Sequence, residues 1–394
     1  MFTILKKDPH TRARRGVLET AHGVVETPSY VNVGTHAKVR SLTMEDCIKG
    51  NTQMIIVNTY HMWKMLGDEG IASFPGLHSQ MGWNKPLMTD SGGFQVFSMG
   101  AARTHGVGKV GNEQTLFTVD SSDESIVRIT NDGVFFYEEG KEVYLDAEKS
   151  IALQQKLGAD CIVAFDEPTS PLHEYEYTKE SLTRTHAWEL RSLHAHTSSQ
   201  LLYGIVQGGV FEDLRKQSAE FVAGLPFDGY AIGGAFGSSF GSQKEDTFEE
   251  LTWVCPLLPD DKPRHLLGIG LIEDLFEGVE RGIDTFDCVI PTREGRHAGV
   301  WTSKGRINLR RGKFVDDRSP IEKGCTCPVC GEMNLTKSDI HVLVKEKSDD
   351  AGRYCSLHNV WFFNNLMEKI RDSIANNNFR ECKKEYLSKL LTNN

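Results

Sequence analysis

Eight short apolar runs, each ending in a polar or glycine-rich turn, limit what this chain can fold into more than any other feature. They are Ser29–Gly34, Met54–Tyr60, Pro86–Gly93, Cys161–Pro168, Leu201–Gly209, Gly229–Gly237, His265–Gly270 and Phe286–Thr292. Continuous apolar runs suit strands buried on both faces of a parallel sheet. The stretches 175–195, 211–224, 244–257 and 271–281 carry helical spacing. Eight strands with helical crossovers predict an α/β fold, a (β/α)8 TIM-type barrel; an open doubly wound sheet is the competing arrangement. Placement favours the barrel. Asp90, Asp166, Gln207, Gly234 and Asp287 lie toward the C-terminal ends of their runs or in the turns just after. That is the face where barrel active sites form.

The catalytic barrel is expected over residues 1–310, with an insertion at 98–147. The insertion holds hairpin-like segments, Gln114–Val119 and Gly133–Tyr137 followed by Glu142–Leu145, and would form a lid or wall of the site. Residues 311–394 are expected to form a C-terminal subdomain. Within it Val360, Phe363, Leu366, Met367, Ile370 and Ile374 recur at helical spacing and predict a docked helix over His358–Ile374. The last residues, Leu391–Asn394, are expected to fray.

The net charge is −10, from 44 basic and 54 acidic residues. Bulk charge therefore does not mark a nucleic-acid binder, and any RNA contact must come from a local basic surface. One is present. From Arg293 to Lys313 lie Arg293, Arg296, Lys304, Arg306, Arg310, Arg311 and Lys313, against Glu294 alone, with Trp301 among them. No secretory h-region follows Met1, and no apolar run is long enough to span a bilayer. A soluble, cytoplasmic protein with no membrane partner is expected. Of nine cysteines, Cys47, Cys161, Cys255, Cys288 and Cys382 are scattered and read as reduced thiols.

The remaining cysteines carry the strongest chemical signal. Cys325, Cys327 and Cys330 fall within six residues, a spacing that suits zinc. Cys355 and His358 are both candidates for a fourth ligand. The absence of an open ligand position makes the metal structural. Among the carboxylates, Asp90 precedes a glycine turn, Ser91-Gly92-Gly93-Phe94, that would let a flat ligand approach the backbone. Asp287 sits inside an apolar strand, where a carboxylate is costly unless paired or functional. Two carboxylates on one site suit glycosidic-bond chemistry, one attacking the anomeric carbon and one moving protons. Asp166 could accept the paired N–H groups of a guanine edge, and Gln207 could donate to its carbonyl. Gly233-Gly234 would offer bare backbone N–H groups.

Together these residues resemble the tRNA-guanine transglycosylase (queuine tRNA-ribosyltransferase) family in its bacterial-type layout. The likeness runs through Val33-Gly34-Thr35, Asn58-Thr59-Tyr60-His61, Thr89–Gln95 and Ala164-Phe165-Asp166-Glu167. It continues through Val206-Gln207-Gly208-Gly209, Phe227–Gly234, Gly282–Arg296, the cysteine cluster and Leu357-His358-Asn359. The resemblance implies a zinc-bearing (β/α)8 barrel that exchanges the wobble guanine of a tRNA anticodon for a 7-deazaguanine, preQ1 or queuine, in queuosine modification. By it, Asp287 is the nucleophile and Asp90 the general acid/base. Ser91, Gly92, Gly93, Asp166, Gln207, Gly233 and Gly234 bind the base, which Phe94 and Leu267 sandwich. Gly268, Ile269, Gly270, Thr292, Arg293 and Arg296 contact RNA. His358 becomes the fourth zinc ligand in place of Cys355, and a homodimer is implied. A double displacement through a covalent enzyme–RNA intermediate follows from these roles.

The chain departs from the bacterial pattern in places. Ala235-Phe236-Gly237-Ser238-Ser239 replaces the usual Leu-Ala-Val-Gly-Glu, and Pro168 stands where cysteine is common. Loss of the glutamate removes a partner for the aminomethyl group of preQ1, so the pocket is expected to accept queuine. Gly331–Lys337 replaces the aromatic and basic run that serves the family's dimer. A catalytically silent, RNA-binding paralogue in a heterodimer is the alternative reading, and it predicts loss of one or both aspartates. A retaining glycoside hydrolase is another, and it would need neither the cysteine cluster nor the basic stretch.

Overall fold

In a computed structural model of the chain, the residues described are 1–94, 97, 127–138, 141–233 and 248–391. Each of the eight apolar runs yields one strand: β1 (Ser29–Val33), β2 (Ile55–Val57), β3 (Leu87–Thr89), β4 (Cys161–Val163), β5 (Leu201–Val206), β6 (Gly229–Ile232), β7 (Arg264–Leu266) and β8 (Thr285–Cys288). They close into a barrel in the order β4-β5-β6-β7-β8-β1-β2-β3. The (β/α)8 expectation therefore holds, and the open sheet does not. Strands β2, β3, β4, β6 and β7 are buried at every residue, which is why their sequences do not alternate.

Helices fill the intervals: α1 (Met44–Lys49), α2 (Thr59–Ala72), α3 (Leu77–Met81), α4 (Ala147–Leu157), α5 (Tyr175–Ala195), α6 (Glu212–Ala223), α7 (Glu249–Val254), α8 (Ile272–Glu280), α9 (Ile290–Arg296), α10 (Lys337–Lys345), α11 (Asp349–Ala375) and α12 (Phe379–Leu391). Local chemistry sets the boundaries. The apolar run Met54–Tyr60 splits because the Asn58 side chain accepts from the His61 N–H at 2.8 Å and starts α2. Asp146 caps α4, and Gly158 ends it in the left-handed region at φ 74°.

The chain forms two compact units. The first comprises Met1, Val57–Gln80 and Leu87–Leu267. Its core includes Phe165 packed on Trp188, with ring centroids 5.0 Å apart. The Trp188 indole donates to the Asn131 carbonyl at 2.7 Å and so holds an antiparallel sheet, Val127–Ile129, Val134–Glu138 and Lys141–Leu145. That sheet is the second hairpin-like segment of the sequence. The first, Gln114–Val119, lies outside the described residues.

The second unit comprises Phe2–Ile56, Met81–Pro86 and Gly268–Asn394. An antiparallel sheet of Phe2–Lys7, Arg14–Thr20 and Gly23–Thr27 opens it. Arg14 grips Asp284, just before β8, through two buried bonds of 2.9 and 2.6 Å. The predicted helix over His358–Ile374 is the later part of α11, which starts at Asp349 because Ser348 caps it. Helix α12 was not anticipated; Lys383 fixes it to Glu277 and Glu280 of α8. Residues 392–394 lie outside the described set. Among the described residues, no helix is long and apolar enough to cross a membrane.

Candidate active site and metal centre

In the first unit, Asp90 follows β3 directly. Its carboxylate accepts from Asn58 Nδ2 at 2.5 Å, from the Thr59 N–H at 2.9 Å and from the Gly92 N–H at 3.1 Å. Asn58 and Thr59 are the cap and first residue of α2, so the acid faces the positive end of a helix. An ionised carboxylate, which only accepts, matches this donor set. The glycine turn fits tightly. Gly92 has φ 79°, and a Cβ there would meet the Tyr60 nitrogen at 3.2 Å. A Cβ on Gly93 would press on the Asp166 carbonyl oxygen at 3.0 Å.

Asp166, three residues beyond β4, is buried. Its Oδ1 accepts from Ser91 Oγ at 3.1 Å and its Oδ2 from Gln207 Nε2 at 2.7 Å. Burial pushes its pKa up to about 6, opposed by those two hydrogen bonds. Gln207 follows β5. With Nε2 engaged, its buried Oε1 has no partner among the described residues. Gly233 follows β6, and a Cβ there would collide with Gln207 Nε2 at 2.7 Å. Ser91, Asp166, Gln207 and Gly233 thus form one row on successive strand ends. Phe94 is exposed and Leu267 half-buried. Gly234 and the Ala235–Ser239 departure lie outside the described residues.

Two ion pairs that sequence reasoning missed, one buried and one half-buried, brace this row. Arg215 of α6 donates to the carbonyls of Gly209 and Gly233 at 2.6 Å each and pairs with Glu250 at 2.7 Å. Glu167 takes two bonds from Arg184 at 2.7 and 3.1 Å and one from the Tyr177 hydroxyl at 2.8 Å. Both arginines read as ordinary charged positions of amphipathic helices, so spacing gave no signal.

In the second unit, Asp287 is the third residue of β8 and is half-buried. Its Oδ1 accepts from the Gly268 N–H at 3.0 Å. The Tyr30 hydroxyl donates to the next carbonyl, Cys288, at 3.1 Å. A Cβ on Gly270 would lie 2.5 Å from both Cys288 Cβ and the Tyr30 oxygen, so the segment Gly268-Ile269-Gly270 packs on the end of β8. Helix α9 follows. It presents Arg293 to solvent, leaves Arg296 half-buried and buries Thr292. Trp301 of the basic stretch is buried, its ring against Phe363 at 5.7 Å.

The thiols converge as the spacing predicted. Ligand atoms of Cys325, Cys327, Cys330 and His358 all lie within 4.8 Å of one another and could hold a metal ion. His358 Nδ1 lies 4.0, 3.3 and 3.8 Å from the three sulfurs. Its Nε2 is 2.8 Å from the Trp301 carbonyl. A carbonyl only accepts, so Nε2 carries the proton and Nδ1 turns its lone pair to the sulfurs. Cys355 is buried outside the cluster, and burial raises its thiol to about 12. Three thiolates and one imidazole are a zinc donor set, and the geometry fits it.

A closed α/β barrel with polar residues at its strand ends, and with a three-cysteine, one-histidine cluster that could hold a metal ion, belongs to the TIM-barrel class. The sequence signature described as Queuine tRNA-ribosyltransferase matches residues 8–392, and the chain belongs to that family, a family of pentosyltransferases. It is 42% identical to the queuine tRNA-ribosyltransferase of Halothermothrix orenii over 99% of this chain and 98% of the relative. Identity to that of Caldanaerobacter subterraneus is 39%, over 100% of this chain and 98% of the relative. Identity to that of a Roseiflexus species is 41%, over 98% of each.

Proposed function

We propose that the protein exchanges the wobble guanine of tRNA anticodons for a free 7-deazaguanine by double displacement. The row Ser91–Asp166–Gln207 carries this reading. It sets a buried carboxylate beside an amide oxygen that lacks a partner, two acceptors that match the N–H donors on the edge of a guanine-like base; donation to the base carbonyl would need Gln207 Nε2 to leave Asp166. The anticodon loop is single-stranded, so its base can be turned out without melting a duplex. Asp287 attacks C1′ of that nucleotide as the bond to guanine breaks, and the leaving base takes a proton from the acid form of Asp90, which returns Asp90 to the carboxylate. The resulting ester links enzyme to RNA. A deazaguanine enters, Asp90 takes its ring N–H proton, and the freed nitrogen attacks C1′ and displaces Asp287. Two inversions give net retention. The Cys325, Cys327, Cys330 and His358 cluster holds one structural zinc, since all four positions are filled by protein. The enzyme acts as a cytoplasmic homodimer.

Labelled guanine incorporation into tRNA tests the reading. Asp287→Asn should lower exchange by about a thousandfold or more, and persistence of exchange would remove Asp287 as nucleophile. Competition with queuine and preQ1 then identifies the incoming base. The missing glutamate at Ser239 favours queuine, and exclusive use of preQ1 would overturn that preference.

A further inference from the structure

Strands β8 and β1 are parallel neighbours, with Asp287 opposite Val31 and Cys288 opposite Asn32. The segments that follow them, α9 and the loop to α1, therefore leave the same strand ends. They meet again at α11. A Cβ on Gly352 would lie 3.5 Å from Arg296 Cα and 3.9 Å from Ser41 Oγ. Arg40, beside Ser41, is exposed.

Charge is unbalanced here. Burial holds the Arg296 guanidinium below its usual range, and Arg40 and then Arg293 push it the same way, so two cations repel a third. Neighbouring arginines are neutralised: Arg306 pairs with Glu294, and Arg353 takes two bonds to Asp46 at 2.8 and 2.9 Å. Arg40, Arg293 and Arg296 have no acidic partner among the described residues, and buried Arg296 Nη1 has no hydrogen-bond acceptor. The loop is also held in an uncommon backbone state, with φ of 54° at His36, 54° at Ala37 and 66° at Ser41. Such outliers persist where surrounding structure fixes them, often at ligand clamps.

We propose that Arg40 and Arg296, with Arg293 beside them, clamp one backbone phosphodiester of the RNA loop next to the Asp287 strand end. Planar guanidinium forks match phosphate oxygens, and a neighbouring anion would relieve the repulsion. The clamp rests on the tRNA reading above and adds Arg40, which the resemblance did not assign. A phosphate contact positions the nucleotide and carries no base preference.

The test uses the full chain and an anticodon stem-loop RNA, with Kd measured across salt concentrations. Arg40→Ala should weaken binding about fivefold and make the log Kd against log salt slope shallower by about 0.7, one single-stranded phosphate contact. The loss should be equal for stem-loops with different bases flanking the wobble position. Methylphosphonate placed at each loop linkage in turn should reproduce the loss at one linkage, where Arg40→Ala then adds nothing. Unchanged Kd and slope in Arg40→Ala, or a loss that depends on the flanking base, would overturn the clamp alone. Failure of the wild-type chain to bind the stem-loop would overturn the tRNA reading as well.

Discussion

Asp166 shows how one side chain joins recognition to pH. Burial raises its pKa to about 6, above the ordinary 3.8. The fold thus favours the protonated form. Its contribution to stability is complete below the ordinary value and is lost as pH rises through about 6. Base recognition runs the other way, because paired N–H donors need the ionised carboxylate. The KM for free base should therefore climb as pH falls through about 6, while Asp166→Asn should raise KM at all pH and flatten the profile. A wild-type KM that stays level from about pH 5 to 8 would show that Asp166 does not titrate in this role. The candidate acids were legible because each breaks an apolar run at a strand end. Arg215 and Arg184 were not, since a buried or half-buried arginine on a helix looks like a surface one until its Glu250 or Glu167 partner is brought to it.

Helix α11 is the element that organises the second unit. His358 turns toward the three cysteines, and the next residue, Asn359, reaches the β8–α9 side. Asn359 accepts from the Trp301 N–H at 2.9 Å and donates to the carbonyls of Pro291 and Gly299 at 2.9 Å each. Gly295 of α9 packs so closely on Ser356 that a Cβ would lie 2.4 Å from its hydroxyl. The cysteine–histidine cluster and the helix bearing Arg293 and Arg296 are thus held by adjacent residues of one helix. Asn359→Ala removes three buried side-chain-to-backbone hydrogen bonds, at about 1 kcal/mol each. Thermal unfolding should show a loss of about 2–4 kcal/mol, and RNA affinity should fall with it. Cys327→Ala should lose bound zinc and RNA affinity together; a zinc-free variant that binds RNA normally would break the link. The spacing of Val360 to Ile374 made this helix readable, but not its start. Ser348 and Asp349 are polar, and their capping role emerges only once the preceding loop is placed.

At the scale of the whole molecule, the barrel was legible because strands buried on both faces leave continuous apolar runs. The division into two units was not, because it does not follow the chain. The second unit draws on Phe2–Ile56 and Gly268–Asn394. Long-range polar bonds join these distant segments. Asn364 donates to the Gly50 carbonyl at 2.7 Å and Arg371 to the Pro28 carbonyl at 2.8 Å. Both side chains are buried, so each bond sits where water cannot replace it. Arg371→Met keeps most of the packing volume and strands the Pro28 carbonyl, at a cost of about 1–3 kcal/mol. If the second unit unfolds as one body, this change in a C-terminal helix should lower hydrogen-exchange protection in the Phe2–Lys7, Arg14–Thr20 and Gly23–Thr27 sheet as much as in α11 itself. Lost protection confined to α11 would mean that the N-terminal sheet opens on its own. The two ends of the chain would then be separate cooperative units despite sharing a core.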